Sequence, residues 1–251
     1  MEAADAEREA REELATVRAE LDQVRAEAAS KEEQLARYAA DLRETFKQER
    51  ERAAELRASY MATVRALSNA VEARDAYTGK HAERVAAYGV EIARAMGSRL
   101  AEDPEIEFAF LLHDIGKVAV PDAILYKPEP LSADERVLME KHTVRGWEIL
   151  RDVEFLGEAK LVVRNHHERW DGAGYPDGLA GEAIPVAARV FAVADTLDAL
   201  TTDRPYRPSS PVADARRIIA ENAGTQFDPD VVDAFAKVPD ATLDAIREQV
   251  R

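Results

Sequence analysis

The sequence lacks cysteine, and this absence limits the chemistry that the chain can carry out. Zero cysteines in 251 residues exclude disulfides and thiolate metal sites, so any metal must be held by nitrogen and oxygen ligands. The sequence also has no run of 18 or more apolar residues, and its first residues are acidic. We therefore expect neither a membrane span nor a secretory signal, and we expect the chain to be cytoplasmic.

Positive charge is also scarce. The chain has 34 Lys and Arg against 49 Asp and Glu, a formal net charge of −15. Because proteins bind nucleic-acid polymers through basic side chains that neutralise phosphates, this composition argues against such a partner. A small anionic ligand stays open, provided that metal ions or a few basic side chains concentrate positive charge locally.

The first 70 residues contain neither glycine nor proline, and their richness in Ala, Glu, Arg and Leu predicts one long helix. Apolar residues recur in it at spacings of three and four. We call this set the apolar seam: Leu14, Val17, Leu21, Val24, Ala28, Leu35, Tyr38, Leu42, Phe46, Ala53, Leu56, Tyr60 and Leu67. Lys31 interrupts the seam, and the step from Leu42 to Phe46 indicates a stutter.

The heptad spacing of the seam favours a coiled coil, and we predict a parallel homodimer through residues 1–70. The alternative is a single charged helix that pairs of Glu and Arg four residues apart stabilise. A coiled coil joined to a second domain suggests that its twist or separation controls that domain. The input would come from an upstream sensor or receiver domain, or from a separate partner.

A second domain is predicted over residues 71–251, because all eleven prolines, all eleven glycines and all five histidines lie beyond residue 70. Helix-start signals are frequent there and alternating strand patterns are absent, so the predicted fold class is all-α, a helical bundle that follows the long helix. We expect loops at 117–131, 168–184 and 201–210.

Four positions in this domain carry residues that predict the start of a helix. Asp103 and Pro104 resemble the N-cap and first residue of a helix that ends at Gly116. Ser132 and Glu135 form a capping box for a helix that runs through His142. Further helices are expected to start at Pro185 and at Ser210 with Pro211, the last one closed by Gly224.

The histidines stand with aspartates on predicted helices: His81, His113, Asp114, His142, His166, His167 and Asp195. For any single one of them a structural role is the more common explanation. Together they come from segments that could converge, and imidazole with carboxylate suits iron, manganese, zinc or nickel in a site with open water positions. If one carboxylate bridges, seven ligands suffice for two metals, a usual arrangement for phosphoester hydrolysis.

Three motifs identify a family resemblance: HDIGK (113–117), HHERWDGAGYPDG (166–178) and VADTLDALTTDRPYR (193–207). Over about Tyr77 to Pro229 the chain closely resembles the HD-GYP family, a branch of the HD-domain metal phosphohydrolases. The resemblance implies an all-helical fold with a bi- or trinuclear metal centre. It also implies hydrolysis of cyclic di-GMP to pGpG, and often onward to GMP.

The resemblance implies a role for each of the seven ligand candidates. His81, His113, Asp114 and Asp195 would hold one metal, and His142, His166 and His167 would hold the second. Asp114 would bridge both metals, and a hydroxide between the metals would attack phosphorus. Two divalent ions, iron or manganese, are expected, with other transition metals open.

Four further residues receive substrate roles from the resemblance. Lys117 would reach a phosphate oxygen, Arg204 and Arg207 would hold phosphate or guanine, and Tyr175 would contact a base. The two arginines could instead pair with acidic residues at the surface. Asp198 is expected to orient a ligand or an arginine, and Glu168 is expected to have a supporting role only.

One departure from the family concerns the number of metals. Trinuclear members carry a Glu four residues before the first ligand histidine, and here that position is Tyr77. We therefore predict a binuclear site. Three other functions stay open: hydrolysis of another cyclic dinucleotide such as cyclic GMP-AMP, a receptor that binds the nucleotide without turnover, and a chiefly dimerising transmitter.

Overall fold

The protein is all-α, as predicted. The computed structural model describes residues 2–74, 80–203 and 208–250, and no β-strand occurs within these ranges. Its α-helices are α1 (Glu2–Glu72), α2 (His81–Ala95), α3 (Pro104–Leu111), α4 (Asp122–Leu125), α5 (Ala133–Glu140), α6 (His142–Leu150), α7 (Lys160–Asn165), α8 (Val186–Thr201), α9 (Val212–Glu221), α10 (Pro229–Lys237) and α11 (Asp240–Gln249). Short 3-10 helices cover Arg99–Glu102, Ile115–Ala119, Glu154–Ala159 and Gly181–Ala183. None of the helices in the described ranges has both the length and the apolar character that a membrane span requires.

The chain divides into two compact units, one up to Ser59 and one from Tyr60 onward. In the first unit the apolar seam is exposed from Leu14 to Leu56. The structure therefore confirms the long helix, whereas the coiled-coil dimer and the domain boundary near residue 70 stay predictions.

The second unit begins inside helix α1. Val64, Ser68 and Val71 are all buried, and their spacing of four and three puts them on one face of the helix. Tyr60 stacks on Phe155, with ring centroids 5.0 Å apart. The last turns of α1 thus pack into the core of the second unit.

The core of the second unit surrounds helix α2, which packs against α3 and α8. Phe110 of α3 and Phe191 of α8 are fully buried and meet edge to face at 5.3 Å. Helix α6 packs against α7 and against the 3-10 helix Ile115–Ala119. These contacts bring together the elements that carry the predicted ligands.

Two of the predicted helix starts are confirmed in atomic detail. The Asp103 side chain accepts a hydrogen bond from the N–H of Glu105 at 2.9 Å, and Ser132 and Glu135 form the full capping box of α5. The predicted end of α3 at Gly116 is wrong. The helix ends at Leu111 because the backbone leaves helical geometry at Leu112, and a 3-10 helix follows from Ile115.

The predicted helix through His142 is also wrong. Helix α5 ends at Glu140, and α6 starts at His142 after a break at Lys141. Leu138 and Ile149 are 42% and 48% exposed, whereas His142 is buried. His142 thus faces the core, while Leu138 and Ile149 are largely in contact with solvent.

The predicted loops contain short helices that sequence patterns missed. Residues 117–131 include the end of a 3-10 helix and all of α4, and residues 168–184 include the 3-10 helix Gly181–Ala183. Helix α9 begins at Val212 with Pro211 as its N-cap, one residue later than a Ser210 cap would give, and Gly224 follows with φ 77°. Residues 204–207 of the third predicted loop lie outside the described residues.

Candidate metal centre

The seven predicted ligands lie at helix ends and within helix α8. His81 begins α2, His113 and Asp114 follow α3, His142 begins α6, His166 and His167 follow α7, and Asp195 lies in α8. The structure brings all seven into one network of contacts. Their roles as ligands stay predictions.

Three histidines form the tightest part of this network, and we call them the three-histidine cluster: His142, His166 and His167. One ring nitrogen from each lies within 4.8 Å of the others. The Nε2 atoms of His142 and His166 are 3.2 Å apart, and the rings of His166 and His167 have centroids 4.2 Å apart. Three imidazoles thus direct nitrogen atoms toward one small volume.

Backbone carbonyl groups fix the protonation of three ring systems. In His113 the Nδ1 atom lies 2.8 Å from the carbonyl oxygen of Phe110. In His142 it lies 2.8 Å from the carbonyl oxygen of Met139, and in His166 it lies 2.9 Å from that of Val163. A carbonyl oxygen can only accept, so Nδ1 carries the proton and donates it. In His142 and His166, whose pKa values burial lowers, the neutral ring then presents a bare Nε2 with a free lone pair.

These two bare nitrogens face each other, which tests whether the site fits a metal. Neither Nε2 of His142 nor Nε2 of His166 has a proton to donate, although they are 3.2 Å apart. Two buried lone pairs at this distance need a cation between or beside them. The neutral imidazoles with a carboxylate nearby are a donor set that suits a divalent transition metal.

Asp114 lies between His113 and the three-histidine cluster. Its Oδ2 lies 3.1 Å from Nε2 of His113 and 2.8 Å from Nζ of Lys117, while Oδ1 lies 3.4 Å from Nε2 of His142 and 4.0 Å from Nε2 of His166. Burial by itself raises the pKa of Asp114, but His113 and Lys117 more than offset this and hold the pKa well below its usual value. The side chain is therefore an ionised carboxylate that directs Oδ2 toward His113 and Lys117 and Oδ1 toward the three-histidine cluster.

A close approach of two glycines places Asp114 against the cluster. A Cβ atom on Gly116 would overlap the carbonyl oxygen of His142 and the amide nitrogen of Gly146. A Cβ on Gly146 would in turn crowd Val163 of α7. Helix α6 can therefore pack directly onto the 3-10 helix Ile115–Ala119, which also carries Lys117.

His81 belongs to a second group of polar contacts. Its Nε2 lies 3.3 Å from Oδ1 of Asp195, and its Nδ1 lies 2.7 Å from Oδ2 of buried Asp198. Arg84 donates to both oxygens of Asp198 at 2.6 and 3.0 Å. Burial lowers the pKa of His81, but Asp198 and Asp195 raise it by more, so the pKa lies above its ordinary value. The carboxylate of Asp198 thus orients the ring and leaves Nε2 directed at Asp195.

Burial keeps the three-histidine cluster uncharged. It lowers the pKa of His142, lowers that of His166 well below the ordinary value, and with the help of His142 lowers that of His167 to about 3. All three rings are therefore neutral near pH 7, which is the form that binds metal ions.

Tyr175 lies beside the cluster. Its ring centroid is 4.8 Å from that of His167 and 6.5 Å from that of His142. Burial first, and then the charges of Glu140 and Asp114, raise the pKa of Tyr175 above its ordinary value. The phenol is therefore protonated and neutral, and its contact with a substrate base stays a prediction.

The turn that carries Tyr175 is fastened by Glu168. The two carboxylate oxygens of this buried residue accept hydrogen bonds from the N–H groups of Asp177 and Leu179, at 2.7 and 3.0 Å. The N–H of Tyr175 donates to the carbonyl of His167 at 3.2 Å. A Cβ on Gly174 would overlap backbone atoms of residues 167–169, so only glycine permits this fold of the chain.

Three residues of the sequence analysis lie outside the described residues: Tyr77, Arg204 and Arg207. Sequence patterns missed two further residues that contribute to the site. Arg84 is buried one turn after His81, a spacing that signals a shared face, and the ring of Phe191 packs on those of His113 and His166 with centroids at 4.7 and 5.4 Å. No sequence signal pairs Arg84 with Asp198 across 114 residues.

Known proteins resemble the chain over this same region. A cyclic di-GMP phosphodiesterase of Thermotoga maritima is 41% identical over 180 residues, which cover 71% of this chain and 49% of the relative. A 3'3'-cGAMP-specific phosphodiesterase (number 2) of Vibrio cholerae is 42% identical over 169 residues, which cover 66% of this chain and 32% of the relative. The chain thus spans half or less of the length of these relatives.

A crystal structure of a cyclic GMP-AMP specific phosphodiesterase of V. cholerae shares the fold, with a TM-score of 0.56 and 19% identity. The superposition covers 74% of this chain and 50% of that one. The sequence profile of the HD domain family matches residues 65–231, a region that includes the seven predicted ligands. The chain therefore belongs to the HD domain family.

Proposed function

We propose that the chain is a metal-dependent phosphodiesterase that hydrolyses cyclic di-GMP to pGpG, with GMP as a second product to be tested. The observation that carries this proposal is the pair of unprotonated Nε2 atoms of His142 and His166, 3.2 Å apart and next to the ionised Asp114. The relative named as a cyclic di-GMP phosphodiesterase supports the choice of substrate.

The described residues offer two ligand groups. We propose that the three-histidine cluster holds one metal, that His81, His113 and Asp195 hold a second, and that Asp114 contributes to both. When bound, two divalent metals, which we propose to be iron or manganese, would supply Lewis acidity and a nucleophile derived from water at neutral pH. The number of metals follows from the ligand count and from Tyr77 in place of a glutamate.

The chain's own residues bind and orient the substrate. We propose that Lys117, which neighbours Asp114 at 2.8 Å, directs its ammonium group at a phosphate oxygen. Tyr175 beside His167 would lie against a base of the dinucleotide, because its neutral phenol offers an aromatic face and a hydrogen-bond donor. Arg204 and Arg207 are proposed as further contacts to phosphate or guanine. In an acidic protein these three cations would supply the local positive charge that an anionic substrate needs.

Cyclic GMP-AMP is the second candidate substrate. The relative named as specific for 3'3'-cGAMP is as similar to this chain as the cyclic di-GMP phosphodiesterase is, at 42% against 41% identity. The metal ligands contact phosphate, which both dinucleotides share. The choice between them therefore depends on the residues around the bases.

The experiment is a hydrolysis assay on the full chain loaded separately with Fe(II) and Mn(II) under anaerobic conditions. Cyclic di-GMP and cyclic GMP-AMP are offered in parallel, and products are separated by chromatography. Removing the hydrogen-bond partner of a metal ligand usually lowers activity or metal affinity by roughly 10- to 100-fold. Asp114→Ala removes a proposed ligand itself, so its activity should fall by more than this. Asp152→Ala, which removes an exposed carboxylate, should retain it.

Three outcomes of this assay differ in meaning. Turnover of cyclic di-GMP supports the proposal, and turnover of cyclic GMP-AMP alone supports the second candidate. If metal-loaded protein binds either nucleotide but hydrolyses neither, the chain is a receptor and the proposal is wrong. Metal analysis of the same samples also tests the stoichiometry, and a value near three per chain would contradict a binuclear site.

We also propose that the full-length protein works as a parallel homodimer through residues 1–70. The exposed apolar seam of the first unit supports this proposal. An upstream sensor or a separate partner as the source of the input is a further proposal, as is a cytoplasmic location.

A further inference from the structure

Helix α1 ends beside the start of helix α2, which carries His81. The N-cap of α2 is Lys80, whose backbone is left-handed at φ 60° and ψ 28° and whose side chain makes no capping hydrogen bond. The first N–H groups of any helix lack partners inside the helix. Glu72, the last residue of α1, accepts the hydrogen bond of one of them, from the N–H of Ala82 to its Oε1 at 2.7 Å.

We infer that Glu72 is a positioning residue for the metal centre, because it caps helix α2 from outside and thereby fixes the place of His81. Its negative charge lies at the positive end of the α2 dipole, so the contact is both a hydrogen bond and a favourable charge interaction. Ala82 is buried, which limits competition from water for its N–H. The inference rests on the proposed function in one respect, namely that His81 holds a metal.

The end of α1 is itself fixed against the core. Val71, which precedes Glu72, is buried together with Val64 and Ser68. Arg65 lies 3.5 Å from Glu107 of α3 on the same stretch of the helix. Because these contacts hold the helix axis, the carboxylate of Glu72 reaches α2 from a defined position.

The chain directly after α1 contacts the segment that follows Lys117. Arg74 donates to the carbonyl of Val118 at 2.9 Å and to Oδ1 of Asp122 at 2.6 Å. Val118 directly follows Lys117 in the 3-10 helix Ile115–Ala119. Glu72 therefore contacts the segment that begins with His81, and Arg74, two residues later, contacts the segment that follows Asp114.

The test compares three variants of the full chain: Glu72→Ala, Glu72→Gln and Asp103→Ala. Asp103→Ala is the matched control, because it removes the carboxylate cap of α3 at the end of that helix away from His113. Affinity for Co²⁺ alone is measured by titration, the visible absorption of bound Co²⁺ reports its coordination, and the melting temperature of the metal-free protein reports stability.

We expect Glu72→Ala to weaken Co²⁺ binding roughly 10-fold, which is the usual effect of removing a contact that orients a ligand. Its bound Co²⁺ should also show an altered absorption spectrum. Glu72→Gln keeps an oxygen that accepts from Ala82 but loses the charge, so its affinity should fall between those of Glu72→Ala and the unaltered chain. Asp103→Ala should lower the melting temperature and leave the affinity and the spectrum unchanged.

The inference is wrong if Glu72→Ala lowers the melting temperature as Asp103→Ala does and changes neither affinity nor spectrum. Failure of the unaltered chain to bind Co²⁺ would overturn it as well. These readouts do not depend on the substrate. A chain that binds Co²⁺ with the expected order of affinities but hydrolyses no dinucleotide contradicts the proposed function and leaves the role of Glu72 standing.

Discussion

At the scale of single residues, three histidines owe their orientation to the turn of helix that precedes them. His113, His142 and His166 each donate from Nδ1 to the carbonyl of the residue three positions earlier, which lies in the last turn of α3, α5 or α7. Carbonyls in the last turn of a helix generally lack the regular partner inside the helix. One hydrogen bond therefore satisfies a carbonyl at a helix end and also directs the Nε2 of the ring toward the site.

His81 begins a helix, so no preceding turn offers it a carbonyl. The carboxylate of Asp198 contacts its Nδ1 instead. We expect Asp198→Asn to weaken metal binding by roughly 10- to 100-fold, since the amide removes the charge that holds His81 and Arg84. Titration with Mn²⁺ or Co²⁺ measures the change. If His81 needs no orientation by this carboxylate, the affinity of Asp198→Asn will match that of the unaltered chain.

The control for that variant is Asp228→Asn. Asp228 is equally buried and forms an ion pair with Arg189 at 2.5 Å, but it has no contact with the described ligands. Breaking either pair should lower the free energy of unfolding by about 3–5 kcal/mol, because an uncompensated charge stays buried. Only Asp198→Asn should also change metal affinity.

At the scale of elements, the centre depends on how closely α6 approaches the 3-10 helix Ile115–Ala119. We expect Gly116→Ala to lower the free energy of unfolding by about 1–3 kcal/mol, because its Cβ would overlap backbone atoms of His142 and Gly146. The helix must then move away, which separates Asp114 from His142 and weakens metal binding.

Gly97→Ala is the control for this variant. Gly97 has φ 66°, so alanine strains the backbone there, but a Cβ would meet no atom within 4 Å. Urea unfolding and metal titration of both variants separate strain from displacement. Equal metal affinities in Gly116→Ala and Gly97→Ala would show that the approach of the two elements is not what holds the ligands together.

The sequence predicted helix starts better than helix ends. Asp103 and the capping box of Ser132 and Glu135 are visible because a cap uses fixed residue types at fixed spacing. The break at Lys141 has no such residue, since neither glycine nor proline occurs there. No residue type at a fixed spacing therefore signals this break.

The candidate site was predictable residue by residue but not in its contacts. The motifs around His113 and His166 carry the resemblance, and the structure brings all seven predicted ligands together. The pairing of Arg84 with Asp198 and the cap from Glu72 to Ala82 could not be predicted, because each joins distant segments through ordinary charged residues.

At the scale of the whole molecule, the buried histidines make stability depend on pH. The folded chain keeps His167 neutral down to a pKa of about 3, whereas the unfolded chain takes up a proton near pH 6.5. Stability of the metal-free protein should therefore fall as pH drops below about 6.5. For this residue the loss is about 2 kcal/mol between pH 6.5 and 5, and His142 and His166 act in the same direction.

Two other groups affect this pH dependence differently. The raised pKa of His81 adds stability below pH 6.5 and partly offsets the loss, while the lowered pKa of Asp114 matters only in more acidic solution. Urea unfolding with a chelator at pH 7 and pH 5 measures the net effect. His167→Asn should flatten the dependence, and constant or rising stability toward pH 5 in the unaltered chain would contradict the prediction.

The exposed apolar seam of α1 predicts that the chain forms a dimer. Leu21 and Leu35 are 46% and 66% exposed in the single chain, and a heptad repeat of such residues is stable in water when a second helix covers it. We expect a double variant, Leu21→Glu with Leu35→Glu, to convert a dimer into a monomer, because four glutamates would face one another across the interface. Ala19→Glu with Ala26→Glu adds the same charge two residues before or after seam positions, on the outer face of the helix, and should stay dimeric. Sedimentation equilibrium measures both masses, and a monomeric unaltered chain would mean that α1 is a single charged helix or pairs with a different protein.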